Sequence, residues 1–125
     1  MKRLPHILLP SLILILLLAF GCANSRENAS RMDRADRLME SAPDSAMAIL
    51  DSIVPSSLSS RQEKARYALL KSMALDKHFI DTITFDVLQP AIDHYLEKGT
   101  SDERLRTLYY PVSYTQLRAH QTLMK

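Results

Sequence analysis

Apolar and polar residues alternate along this chain with the period of an α-helix, in several separate stretches. Ile7 to Phe20 is the exception: it is apolar throughout, interrupted only by Pro10 and Ser11. Beyond it, Met32, Ala35, Leu38 and Met39 form one helical stripe, and Ala46, Ile49, Leu50 and Ile53 form a second. Ser30 stands where an N-cap would open the first of these helices, with Asp33 completing a capping box. Pro43 ends that helix and opens the next, because a first turn tolerates a residue without an N–H. Val54-Pro55-Ser56-Ser57 breaks the second helix, and Ser60-Arg61-Gln62-Glu63 is a capping box for a third that extends to about Lys77.

That third helix places Ala65, Tyr67, Ala68, Leu69, Leu70, Met73, Ala74 and Leu75 on more than one face, as expected of a helix held between neighbours. Thr84 or Asp86 is the expected cap of a fourth helix, bearing Phe85, Leu88, Ala91, Ile92, Tyr95 and Leu96; Pro90 should kink it or delay its start. Gly99 suits the C′ position after Lys98. A fifth helix begins at Ser101-Asp102-Glu103, with Leu105, Leu108 and Tyr109 expected inward. No strand-like alternation is sustained, and two glycines with no tryptophan suit an all-β fold poorly. The fold class is all-α.

The amino terminus explains the uninterrupted apolar stretch. Met1-Lys2-Arg3 is a positive leader, and the fourteen residues from Ile7 to Phe20 span about 21 Å as a helix, against about 30 Å for a bilayer core. A cleaved export signal over residues 1–21 fits better than a spanning helix. Ala19-Phe20-Gly21-Cys22 then resembles the lipobox of bacterial lipoproteins, in which a small residue precedes a cysteine that is acylated and becomes the new first residue. The resemblance implies cleavage between Gly21 and Cys22 and a covalent lipid on Cys22, the chain's one cysteine. Ala19 stands where leucine is commonest and Phe20 where a small residue is usual. Residues 22–29 are polar and read as a tether without an acidic run, which favours the periplasm-facing side of the cell envelope.

Charge excludes one class of partner. Removing Lys2 and Arg3 with the leader leaves fourteen basic residues against fourteen acidic ones, with no clustered basic face of the kind nucleic acid requires. A lone cysteine forms no internal disulfide and no zinc-ligand pair. His78, Asp81, Asp86, Asp93 and His94 make a metal site only on paper, since Asp93 and His94 are adjacent and point to different helix faces. With no Gly-rich phosphate loop, and with Ser56, Ser57, Ser59 and Ser60 explained by a linker and a cap, no catalytic residue, resident metal or cofactor is expected. The chain is not read as an enzyme.

Over residues 30–110 the helices resemble tetratricopeptide-type (TPR-like) pairs. Ala91-x-x-x-Tyr95 has the small-then-aromatic spacing of a TPR second helix, and Ala46-x-x-x-Leu50 is a weaker version. Together with Ala65-Arg66-Tyr67-Ala68-Leu69-Leu70 and Leu105-Arg106-Thr107-Leu108-Tyr109-Tyr110, these stretches are similar to the amino-terminal region of TPR-containing envelope lipoproteins of Gram-negative bacteria. The resemblance implies an incomplete α-solenoid with repeat packing at Ala46, Leu50, Ala68, Leu69, Ala91 and Tyr95. It also implies a protein or peptide partner and a longer chain carrying a signalling part. Successive pairs start about 41 residues apart rather than about 34, and no Trp-Leu-Gly-Tyr signature is present. The alternative is a lipoprotein subunit for glycan uptake, which would need exposed aromatics for sugar stacking.

Residues 111–125 read differently. Val112-Ser113-Tyr114-Thr115-Gln116-Leu117-Arg118-Ala119-His120-Gln121-Thr122 resembles one reading frame of a transposase-based sequencing adapter, V-S-Y-T-H-L-R-A-H-E-T, so this tail is expected to be non-native.

Overall fold

The fold is described from a computed structural model, which covers residues 5–78, 86–110 and 123. Thr84, Phe85, Asp81 and, apart from Leu123, the tail over residues 111–125 lie outside the described residues. Everything regular among the described residues is helical: α1 (Pro5–Leu38), α2 (Pro43–Asp51), α3 (Arg61–Lys77), α4 (Gln89–Lys98) and α5 (residues 101–110), with one 3-10 turn at Pro55–Ser57. The protein is all-α.

Prolines and caps set most of these boundaries. Pro43 opens α2, and Ser60 caps α3 by accepting a hydrogen bond from the Glu63 N–H at 3.1 Å. The Glu63 carboxylate in turn accepts from the Ser59 N–H at 2.9 Å, one residue earlier than a strict capping box. At α4 the delayed start wins over the kink: residues 86–88 are turn, Leu88 is the N-cap, and Pro90 falls in the first turn. Asp86 therefore caps nothing.

Gly99 ends α4 in extended backbone (φ −76°, ψ 159°), not the left-handed conformation a C′ glycine supplies. Its role is close approach: a Cβ there would sit 2.5 Å from the Tyr95 carbonyl oxygen.

Two further expectations are corrected. Ser30 caps no helix, because α1 runs unbroken from the apolar stretch to Leu38, through residues 22–29. Nothing between Gly21 and Ser30 stops it, and the Glu27–Arg31 ion pair, one turn apart, reinforces it. The polar segment is thus helical, and its far end packs on the core: Asn28 is buried and donates to the Ser57 hydroxyl at 3.0 Å.

In α5 the inward face is the other stripe. Thr107 is fully buried and Tyr110 packs on the core, whereas Leu105 (68% exposed), Leu108 and Tyr109 face out. The buried Thr107 hydroxyl is satisfied by the Glu103 carbonyl at 2.7 Å. The helix starts from a capping box at Thr100, whose N–H and hydroxyl exchange hydrogen bonds with Glu103. A helix in a stack carries two stripes, and composition favours the greasier one without saying which faces the preceding helices.

The core is one contiguous set of side chains. It includes Met32, Ala35 and Met39 of α1, Ala46 and Leu50 of α2, and Ile53 and Leu58 of the linker. Ala65, Ala68, Leu69, Leu70, Met73 and Ala74 of α3 continue it into Leu88, Ala91 and Tyr95 at α4. The wide stripe of α3 has its expected cause, since α3 packs against α1, α2 and α4 together. Helix direction can be read from cross-contacts. Ser25 meets Glu63, Asp33 pairs with Arg66, and Glu40 pairs with Lys77, so α1 and α3 run parallel. Arg31 donates to the Ser52 carbonyl and His78 meets Asp44, so α2 runs against both. Arg106 reaches Asp36, and Tyr110, one turn on, feels the charge of Glu40, one turn beyond Asp36, so α5 runs parallel to α1.

Candidate lipid anchor and repeat interface

Cys22 lies exposed on α1, directly after the apolar segment. Ile7 through Leu18 and Phe20 stand out from the core as a bare apolar helix, with every large side chain at least half exposed. An 18-residue window there has mean hydropathy 2.4 and none of it is buried, so this helix is long and apolar enough to cross a membrane. The 21 Å estimate for Ile7 to Phe20 alone therefore understates the helix that contains it. Polarity returns immediately after Cys22, with Asn24, Ser25, Arg26, Glu27 and Asn28. Nothing in the packing asks for glycine at 21: a Cβ there meets no atom within 4 Å. The smallness of Gly21 serves no contact in this fold.

The six residues expected to pack between repeats all lie in the core. Ala46 and Leu50 of α2 are fully buried, Ala68 and Leu69 of α3 are buried, and Ala91 of α4 is fully buried one turn before Tyr95. Small side chains at 46, 68 and 91 let backbones approach, while Leu50 and Tyr95 fill the adjoining grooves. Burial raises the Tyr95 hydroxyl above its ordinary pKa, and burial likewise pushes Tyr110 up to about 12, so both stay neutral phenols at any physiological pH.

Parallel α1, α3 and α5 share one side of the bundle, crossed by ion pairs: Asp33 with Arg66, Glu40 with Lys77 at 2.6 Å, and Asp36 with Arg106 at 3.5 Å. These pairs are largely solvent-exposed and each adds little stability. Their effect is to leave this side polar and of mixed sign.

His78 closes α3 at the opposite end from Ser60. Its Nδ1 lies 2.7 Å from the Ala74 carbonyl oxygen and its Nε2 lies 2.7 Å from an Asp44 carboxylate oxygen. Only the imidazolium donates from both nitrogens, so the carbonyl and then the carboxylate raise the His78 pKa above 6.5. The resulting stability is full below pH 6.5 and is lost as the pH climbs through the higher folded-state value. Melting curves between pH 5.5 and 8.5 are therefore expected to fall in Tm toward alkaline pH by more than those of Asp44→Asn, whose amide no longer favours the charged ring. Parallel pH dependence of the two proteins would refute the pairing.

Of the residues considered for a metal site, Asp81 lies outside the described residues. His78 is committed to Ala74 and Asp44, and no group of three or more His, Cys, Asp or Glu suited to a metal occurs among the described residues.

Sequence reasoning missed the junction of α1 with the serine-rich linker. Ser25 hydrogen-bonds the Glu63 carboxylate, and Asn28 donates to Ser57, whose hydroxyl continues to the Val54 carbonyl at 2.6 Å. The Ser25 hydroxyl and the Ser59 N–H hold Glu63 below the usual carboxylate range. The only available signal was the density of Ser and Asn on both sides of the contact. No protein family matches the chain, and comparison with curated proteins and with solved structures finds no match either.

Proposed function

We propose that this chain is a lipid-anchored helical-repeat protein of the bacterial cell envelope, held through acylated Cys22 and facing the periplasm. Residues 30–110 are a TPR-like α-solenoid fragment that binds a protein or peptide, as the sensor part of a longer signalling protein. The observation that carries this reading is the continuity of α1: one helix joins a bare apolar segment, Gly21–Cys22 and the first stripe of a helical-repeat core.

Three features support it. The odd-numbered helices run parallel and the even-numbered α2 runs against them, the geometry of stacked hairpins whose like helices line one binding surface. Ala46, Ala68 and Ala91 are buried, as small residues at hairpin crossings would be. The outward Leu105, Leu108 and Tyr109 give α5 the second apolar stripe that a following helix pair would cover.

The anchor is tested with labelled fatty acid in an expressing bacterium. The wild-type chain should take up label and co-fractionate with membranes, and Cys22→Ser should take up none. Equal labelling of the two proteins would refute the lipobox assignment.

A further inference from the structure

The end of the bundle nearest Cys22 carries a set of unpaired cations. Because α1 is continuous through residues 22–29, Ser25 stands about 4.5 Å along the helix from Cys22 and Asn28 about 9 Å. Those two residues are fixed to the Glu63 end of α3 and to the linker at Ser57. The linker tip and the first turn of α3 therefore lie about one Debye length or less from the plane in which Cys22 is held. No slack separates the folded region from its point of attachment.

The chemistry of this end suits a lipid surface. Arg26, Arg61 and Lys64 are exposed and make no ion pair among the described residues. Glu27 is ion-paired with Arg31, and Glu63, hydrogen-bonded by Ser25 and Ser59, keeps its single negative charge against the three cations Arg26, Arg61 and Lys64, so the end stays net positive. Glu97 and Lys98, adjacent at the end of α4, offset each other. Val54 is 60% exposed beside Pro55 at the linker tip, an apolar point tied to the same end through Ser57 and Asn28.

We propose that this end, built from Arg26, the Val54–Pro55 tip, Arg61 and Lys64, seats directly on anionic phospholipid headgroups. The repeat bundle then stands end-on to the membrane in a fixed orientation. The proposal rests on anchoring at Cys22 and adds to it a surface and a lipid class. Each cation near an anionic surface is worth roughly fivefold in apposition.

The test uses the lipidated full chain in vesicles of phosphatidylcholine with phosphatidylglycerol. Acylation consumes Cys22, so Val54→Cys or Asp76→Cys supplies a unique thiol for a fluorophore; position 76 lies about 22 Å farther along α3 than Arg61. Headgroup nitroxide lipid is expected to quench the label at 54 strongly and leave the label at 76 bright. Arg61→Gln with Lys64→Gln should cut quenching at 54 several-fold while co-flotation and the circular dichroism spectrum stay unchanged. Equal quenching at 54 and 76, or no response to the double variant, would overturn the proposal. Failure of the unmutated protein to co-float would instead overturn the anchor, and the proposal with it.

Discussion

Ala91→Glu is expected to abolish the cooperative thermal unfolding of this protein. Ala91 is fully buried in the first turns of α4, within the core shared with α3. An unpaired buried carboxylate either stays charged at a cost of several kcal/mol or binds a proton with a sharply raised pKa. A small domain has about 5–15 kcal/mol to lose, and a bundle of this size stands toward the lower end. Far-UV circular dichroism should show a broad, low-temperature loss of helix in place of a sharp transition, deepening as the pH rises. Leu105→Glu is the matched control: its side chain is 68% exposed, so the change should stay within about 0.5 kcal/mol of the parent. A wild-type melt for Ala91→Glu would mean that α4 does not pack as described.

Leu50→Ala is expected to cost about 2–5 kcal/mol, read as a fall in the urea midpoint with little change in slope. Leu50 is fully buried on α2, a helix of nine residues that is too short to persist without tertiary contacts. Its side chain belongs to the same core as Met32, Met39 and Ile53, so truncation leaves a void bounded by groups from two helices and a linker. Buried methionines of the same core flex into part of that space, which places the effect in the middle of the range. A loss below about 1 kcal/mol would show that α2 contributes little to the core.

Much of the fold was legible because local rules and burial agree. The stripes at Met32, Ala35 and Met39, and at Ala46, Leu50 and Ile53, are buried as their spacing requires. Ser60 caps α3, and Pro43 opens α2, for reasons contained in three or four adjacent residues. What local rules leave open is where a helix starts when nothing stops it, and which of two stripes faces the stack. Ser30 is a competent cap, but a preceding helix that arrives intact supplies the partners a cap would supply, so the boundary vanished into α1. Leu105, Leu108 and Tyr109 looked like core by composition, yet Thr107, with its hydroxyl satisfied inside its own helix, fits the closer approach. Cys22 and the six buried positions at Ala46, Leu50, Ala68, Leu69, Ala91 and Tyr95 came from short motifs. The contacts of Ser25, Asn28 and His78 join residues about 30 to 40 apart, and no periodicity registers such polar pairs.

The parallel setting of α1 and α3 has a mechanical consequence. Tension applied at Cys22 pulls along the axis of α1, and α3 lies alongside pointing the same way. The bonds that tie the two helices, at Ser25–Glu63, Asp33–Arg66 and Glu40–Lys77, are then loaded together in shear rather than peeled apart one at a time. Individually weak surface contacts arranged in this way share the force. Traction on Cys22 would drag the bundle as a unit before it stripped the first helix away.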